Sequence, residues 1–389
     1  MDETDKQPLI SCVLTVETGT DKRDHVTAEL LDDRLSLSAP DYHLEVRLSS
    51  LSWVRAQNYR VFLNTSGSDI VLSMIGHLYE DFARRFIRAF NEVLFNESLM
   101  KEQKHFETEG YYTSTEGETS RAVLRVCETA LVVLPETHSL LRIPFCMIAK
   151  TDVQPYQFSI TDCLGRTYSL SKMGYSTDAF MHAYRMRLTE LVRQTREKLS
   201  VIAPADDNLA MLLLDGLVQP VSDIRAISEY YADAIGKTLA DSEIANEYGF
   251  LREVSDNLAI GIKRGLMGEL TGESILVIAP VFKRNVLIME SLGDSSAATY
   301  VFRLFQNETM DEMHWRRFLL EFNESMLSVN FRREPVYLSD EALHEERYET
   351  YANALRRVPA LARLRSLYLG RAVHSGFESW KNKIEGFMQ

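Results

Sequence analysis

The sequence RRFIRAFNE at residues 84–92 recurs as RRFLLEFNE at residues 316–324, with six of the nine positions identical. In both places the segment belongs to a run in which large apolar residues return every three or four positions, the period of a helix with one buried face. Short strand-like runs precede each copy. The repeat therefore predicts a chain assembled from copies of one strand-then-helix module.

Residues 9–74, upstream of the first copy, are typical of antiparallel strands. Apolar residues alternate with polar ones, as at Leu35 and Leu37, and turn-forming residues separate the runs, as at 32–33 and 64–68. Alternation bounded by Asp, Asn, Ser and Gly indicates strands that bury one face. We expect about seven strands before the first helix.

The same plan returns about 95–98 residues later. Glu128 and Thr129 form the turn that corresponds to residues 32–33, and the helix that follows carries Phe180 and Tyr184 where the first has Phe82 and Phe86. A hairpin is expected around the turn at 161–165. The second module matches the first in pattern more than in identity, which predicts a duplication.

A seven-strand antiparallel meander closed by one amphipathic helix resembles the pleckstrin-homology (PH) superfold, including its GRAM-like relatives. The resemblance covers residues 9–200 as two units and implies an α+β fold of tandem PH-like antiparallel barrels, each capped by a C-terminal helix. PH-like domains bind phosphoinositides, peptides or proteins. The Lys/Arg cluster that lipid-binding members carry in their first hairpin is missing at 32–34 and 128–129, which favours a protein partner.

Beyond residue 203 the pattern changes. Helical periodicity predicts a connector over 204–257, and the run from Leu239 to Phe250 resembles the first helix and bend of a helix-turn-helix, with the bend at Gly249. Strands then resume from Leu258 and lead into a helix from Glu308. The complete division is PH-like modules at 8–104 (module 1) and 105–203 (module 2), a helical, winged-helix-like connector at 204–257, a shortened module 3 at 258–332, and a helical tail at 333–389.

Two PH-like units followed by a helix-rich, winged-helix-like region also resemble, over residues 10–255, the archaeal taxis adaptors that link a chemotaxis response regulator to the archaellum. This second resemblance implies an adaptor. Module 3 and the tail depart from the adaptor pattern.

The bulk composition restricts the function. The chain of 389 residues carries a formal net charge of −13, which argues against general binding to nucleic acid or to anionic lipid, because both rely on Lys and Arg. Its acidic N-terminus lacks the basic and apolar regions of a signal peptide, and no apolar run is long enough to span a membrane, so we expect a cytoplasmic protein. The four cysteines lack metal-ligand or redox spacing and are interpreted as reduced core thiols.

No catalytic motif, phosphate loop or metal-ligand spacing is recognisable, so the sequence predicts no catalytic residue, no cofactor and no metal. The prediction is a non-enzymatic scaffold or adaptor in signalling that binds proteins and could self-associate. The alternative is a nucleic-acid regulator acting through residues 239–265. Arg84, Arg85, Arg316 and Arg317, the arginine pairs of the repeat, are the candidate partner-binding residues; helix packing and salt bridging inherited with the module is the competing interpretation.

Overall fold

The computed structural model describes residues 7–65, 67–97, 99, 102–264, 273–293, 298–304 and 312–389. Residues 1–6, residue 265 of the predicted nucleic-acid segment and residues 308–311 of the predicted third helix lie outside this description. The chain divides into two compact units. The N-terminal unit runs up to Tyr184 and includes Arg347–Arg357, and the C-terminal unit comprises 185–346 and 358–389.

Module 1 has the predicted seven strands and one helix. The strands are β1 (Ile10–Thr18), β2 (Asp21–Leu30), β3 (Arg34–Ala39), β4 (Tyr42–Arg47), β5 (Trp53–Gln57), β6 (Arg60–Asn64) and β7 (Asp69–Ser73), followed by α1 (Tyr79–Asn96). They form one antiparallel sheet in the order β4-β3-β2-β1-β7-β6-β5. Alternating strand residues such as Leu35 and Leu37 meet the helix residues Phe82, Phe86 and Phe90 in one core.

Module 2 repeats this topology. Its strands are β8 (Lys104–Thr113), β9 (Thr119–Cys127), β10 (Ala130–Pro135), β11 (Leu141–Pro144), β12 (Ile148–Gln154), β13 (Gln157–Asp162) and β14 (Thr167–Ser171), followed by α2 (Thr177–Leu199). Their order, β11-β10-β9-β8-β14-β13-β12, is the order of module 1 shifted by seven strands. The predicted hairpin turn is present: Asp162 accepts hydrogen bonds from the backbone N–H groups of Leu164 and Arg166. The α+β prediction is confirmed, with two seven-strand antiparallel sheets that are each followed by a helix.

A third antiparallel sheet lies in the C-terminal unit. It contains β15 (Gln219–Pro220), β16 (Ala259–Arg264), β17 (Glu273–Val281), β18 (Val286–Leu292), β19 (Ala298–Arg303) and β20 (Tyr368–Val373), in that order. The helix α7 (Glu312–Ser328) carries the second copy of the repeat. Strands β16–β19 and α7 lie in the region predicted as module 3, and β15 from the connector and β20 from the tail extend the sheet on its two sides.

Helices fill most of the connector and the tail. Those of the connector are α3 (Asp207–Leu212), α4 (Val221–Ile227), α5 (Glu229–Ala240) and α6 (Ala245–Val254). Those of the tail are α8 (Glu334–Tyr337), α9 (Asp340–Leu343), α10 (Glu349–Arg357), α11 (Pro359–Ser366) and α12 (Phe377–Phe387).

The tail is helical, as predicted, apart from the strand β20. This strand is a short run beside a helix, and only its pairing with β19 identifies it. Gly370 lies where α12 packs closely, since a Cβ at this position would clash with the Phe387 ring.

Candidate functional site

The four arginines singled out from the sequence lie on helix surfaces, two in each unit. Arg84 and Arg85 both bind the Asp81 carboxylate, at 2.7 and 2.9 Å, and Arg85 also donates to the carbonyl of Leu9. The hydrogen bond from Arg84 holds the pKa of Asp81 below its usual value. These contacts join α1 to itself and to the start of β1.

The second arginine pair makes similar contacts. Arg316 forms a bidentate pair with Asp223, with N···O distances of 2.7 and 2.9 Å, and Arg317 lies 3.3 Å from Glu321. Arg317 has the most exposed side chain of the four, at 78%. Each arginine of the repeat therefore has an ion-pair partner within its own unit, and their binding of an external partner stays a prediction.

Asn91, in the same repeat, makes the more informative contacts. Its side chain is fully buried, and its amide Nδ2 donates to the carbonyls of Pro135 and His138 at 3.0 and 3.1 Å. Its Oδ1 accepts from the N–H of Leu140 at 2.7 Å. One side chain thus satisfies three backbone groups of residues 135–140, which leave module 2 at the end of β10.

The segment that Asn91 holds also pairs with the β5 edge of module 1. The N–H of Ala56 donates to the carbonyl of Thr137 at 3.2 Å, and Arg55 and His138 form an antiparallel β-bridge. Residues 135–140 therefore lie between the edge strand and the capping helix, with bends at 136–137 and one β-bridge at His138. Adding an extended segment to an open sheet edge is a general mode of peptide recognition, and the bridge at His138 is a one-residue case of such pairing within this chain.

Glu92, the last residue of the repeat, strengthens this junction. It forms a bidentate pair with Arg125 of β9, at 2.6 and 3.1 Å, and Arg125 also binds Glu107. Burial alone would lower the pKa of Arg125, but the hydrogen bonds to the two carboxylates raise it. The guanidinium also lies over the Phe95 ring. Both residues of the repeated Asn-Glu pair thus join α1 to module 2.

Asn323, the equivalent residue of the second copy, also holds a backbone segment, in this case within the C-terminal unit. It is 1% exposed, accepts from the N–H of Val218 and donates to the carbonyl of Val218, both at 2.9 Å. The two residues after Val218 form β15, which pairs with the edge of β16. Gly261 permits this approach, because a Cβ there would lie 2.8 Å from both the Gly216 carbonyl oxygen and the Val218 side chain. We call the Asn91 and Asn323 arrangements edge clamps.

Module 2 differs at this point. In the alignment that places Phe180 on Phe82, the position of Asn91 is taken by Thr189. The strand equivalent to β5 is β12, which forms one edge of its sheet and pairs with β13 alone among the described strands. Its side chains from Ala149 to Gln154 are exposed on both faces. The β12 edge thus corresponds to the β5 edge, which residues 135–140 cover in module 1. Among the described residues no segment covers β12.

The helix-turn-helix bend predicted at Gly249 is wrong. Gly249 is not at a bend but inside α6, and the turn joining α5 to α6 lies at 241–244. The exposed charges around α6 are mostly acidic: Asp241, Glu243, Glu253 and Asp256 against Arg252. Lys263, a basic residue of the segment 239–265, is buried and paired with Asp215. This surface would repel phosphate.

A buried polar cluster lies on the third sheet. Glu290 of β18 is fully buried and accepts from Thr299 at 2.5 Å, and His374 lies 3.2 Å away. Burial raises the pKa of Glu290. Burial would lower the pKa of His374, but its hydrogen bond with Glu290 outweighs this and raises it. Trp380 donates to Thr299 from the other side at 2.5 Å, so the cluster ties α12 to the sheet.

Other candidate chemistry is sparse in the part of the chain that is described. None of its His, Cys, Asp and Glu residues form a group able to hold a metal ion. All four cysteines are free thiols, as expected, and burial raises the pKa of Cys12 to about 11. Among the same residues no helix is long and apolar enough to cross a membrane.

Fold and clamps together describe an α+β protein with three antiparallel sheets, in which Asn91 and Asn323 each hold a backbone segment beside a sheet edge. No protein-family model matches the chain, and no curated protein matches it. Among solved structures it is similar to the Spt16D Pob3N heterodimer, with 13% identity over 39% of this chain and 82% of that chain, at a TM-score of 0.16. An identity and a TM-score this low carry no argument about the fold, which is described here by the strand order of the three sheets.

Proposed function

We propose that this protein is a non-enzymatic scaffold or adaptor that binds other proteins through its PH-like modules. The observation that supports the proposal is the Asn91 clamp, in which module 1 binds a backbone segment of module 2 between its edge strand and its helix. The open counterpart is β12, whose backbone groups on the outer side are available for the same pairing.

The cytoplasm remains the proposed compartment. The nucleic-acid alternative gains no support from the acidic surface around α6. An adaptor role in signalling is compatible with several modules in one chain, since each sheet edge offers a separate docking place.

The test compares three versions of the full chain: wild type, Thr151→Pro and the matched control Thr151→Ala. Proline removes a backbone N–H on the outer edge of β12, where an edge strand tolerates it, and alanine keeps that N–H. Each tagged chain is incubated with lysate of the native host, and captured proteins are quantified by mass spectrometry. We expect wild type and Thr151→Ala to enrich the same proteins, and Thr151→Pro to lose at least one of them.

Equal capture by all three versions would contradict docking at β12, and enrichment no greater than that of the tag alone would contradict the scaffold. A mobility-shift assay with duplex DNA tests the alternative. Tight binding that weakens steeply with added salt would favour a regulator.

A further inference from the structure

β12 has the features of a strand that pairs with its own copy. It is an edge of its sheet, and its residues 149–154 are exposed on both faces, including Val153 at 53%. Natural edge strands are protected by proline, by shortness, by a β-bulge, by charged side chains or by a covering segment. β12 has seven residues and no proline, and its one irregularity is a bulge between Ile148 and Lys150.

The charges of β12 are self-complementary. Lys150 and Asp152 are two positions apart and so lie on the same face of the strand, with Thr151 between them on the other. If two copies of β12 pair antiparallel about a two-fold axis at Thr151, Lys150 of each copy stands opposite Asp152 of the other. Shifting the axis to Lys150 or to Asp152 would oppose like charges, which is unfavourable. The charge pattern therefore favours a single register.

The backbone of β12 suits the same register. Gln154 and Gln157 pair across a two-residue turn, so Gln154 and Asp152 direct their backbone groups at β13. Val153 and Thr151 then direct theirs at the open edge. The Lys150–Asp152 pairs would occupy the non-hydrogen-bonded positions, where facing side chains come closest.

The contacts that Lys150 and Asp152 make within the chain leave both side chains able to pair with a second copy. Asp152 accepts a hydrogen bond from Gln154 on its own strand at 2.8 Å. Within the described part of the chain, Lys150 makes no ion pair. Both groups are exposed, so an opposing charge would meet them without the cost of burying either one.

We infer that β12 pairs antiparallel with β12 of a second copy of this chain, centred on Thr151, and joins two module-2 sheets into one. The inference rests on the proposed sheet-edge function and names the occupant of that edge. A scaffold that dimerises in this way would present each of its other binding surfaces twice.

Charge swaps provide the test, with full-length chains in sedimentation velocity from about 1 to about 200 μM, the range in which interfaces below the standard size associate. In a dimer of Lys150→Asp, residues 150 and 152 are both acidic, so each of the two facing pairs consists of two carboxylates. In a dimer of Asp152→Lys, each facing pair consists of two ammonium groups. We expect wild type to dimerise and each variant to raise the dimer Kd at least about tenfold. An equimolar mixture of the two variants should restore the dimer, because each acidic residue then faces a basic one, and the double swap Lys150→Asp/Asp152→Lys should restore it as well.

Thr151→Pro should abolish the dimer and Thr151→Ala should preserve it, with circular dichroism confirming that all versions fold. A monomeric wild type over the whole range, a dimer indifferent to these changes, or a mixture no tighter than its components would each overturn the inference. If the wild type is monomeric but Thr151→Pro still loses a captured protein, the scaffold proposal stands and only the self-pairing is wrong. If neither is observed, both fail.

Discussion

Replacing Asn91 by alanine should loosen the junction between modules 1 and 2. The change removes three hydrogen bonds, to Pro135, His138 and Leu140, from a side chain with no exposed surface. Each lost bond is worth roughly 1 kcal/mol, and buried groups left unpaired add to this. The small residual cavity contributes in the same direction. We therefore expect the free energy of unfolding of the N-terminal unit to fall by about 3–4 kcal/mol.

Urea unfolding measures this loss, and amide hydrogen exchange locates it. The exchange of the Leu140 amide should accelerate by a factor of about 100 or more, since 1.4 kcal/mol corresponds to tenfold. Asn96→Ala is the matched control, because Asn96 is on the same helix but exposed, and it should cost less than about 0.5 kcal/mol. Equal effects of the two substitutions, or an unchanged Leu140 amide, would refute the clamp as an energetic feature.

Three further substitutions test the remaining contacts. Asn323→Ala should destabilise the C-terminal unit by about 2–3 kcal/mol, through two lost hydrogen bonds and two unpaired groups of Val218, and speed exchange of the Val218 amide. Arg357→Met removes donors from the carbonyls of Ser49 and Leu51 and should cost roughly 1–3 kcal/mol, with faster exchange across α10. Glu290→Gln should change the pH dependence of stability. The pKa values of Glu290 and His374 are both raised in the folded state above their ordinary values of 4.5 and 6.5. Each group therefore adds most to the free energy of unfolding at a pH below its ordinary value. That contribution is lost as the pH rises through the pKa of the folded state. Unfolding titrations of wild type from pH 5 to 9 should show falling stability with a slope that the variant reduces, and equal slopes would contradict this.

Local patterns were sufficient to predict most of the fold. Alternation of apolar residues predicts the strands of modules 1 and 2, and the spacing of Phe82, Phe86 and Phe90 predicts the face that α1 buries. Such periodicity reflects the geometry of a single strand or helix, so it can be recognised without knowing its neighbours. The duplication follows from the same patterns repeated at a fixed distance.

The elements that local patterns do not predict depend on distant partners. β15 and β20 are strands only because β16 and β19 accept them at the two sides of one sheet. Gly249 suggested a bend, but α6 continues through it, since one glycine in a helix costs only about 1 kcal/mol.

The repeat of residues 84–92 and 316–324 separates the two sources of information. Its sequence by itself determined that two helices of one type exist and which face each buries, because amphipathic spacing is a local property. The tertiary structure alone decided what the Asn-Glu ending does. The partners of Asn91 are 44 or more positions along the chain and those of Asn323 are 105 away. A side-chain amide matches any backbone N–H and C=O equally well, so only the folded chain selects which segment it holds.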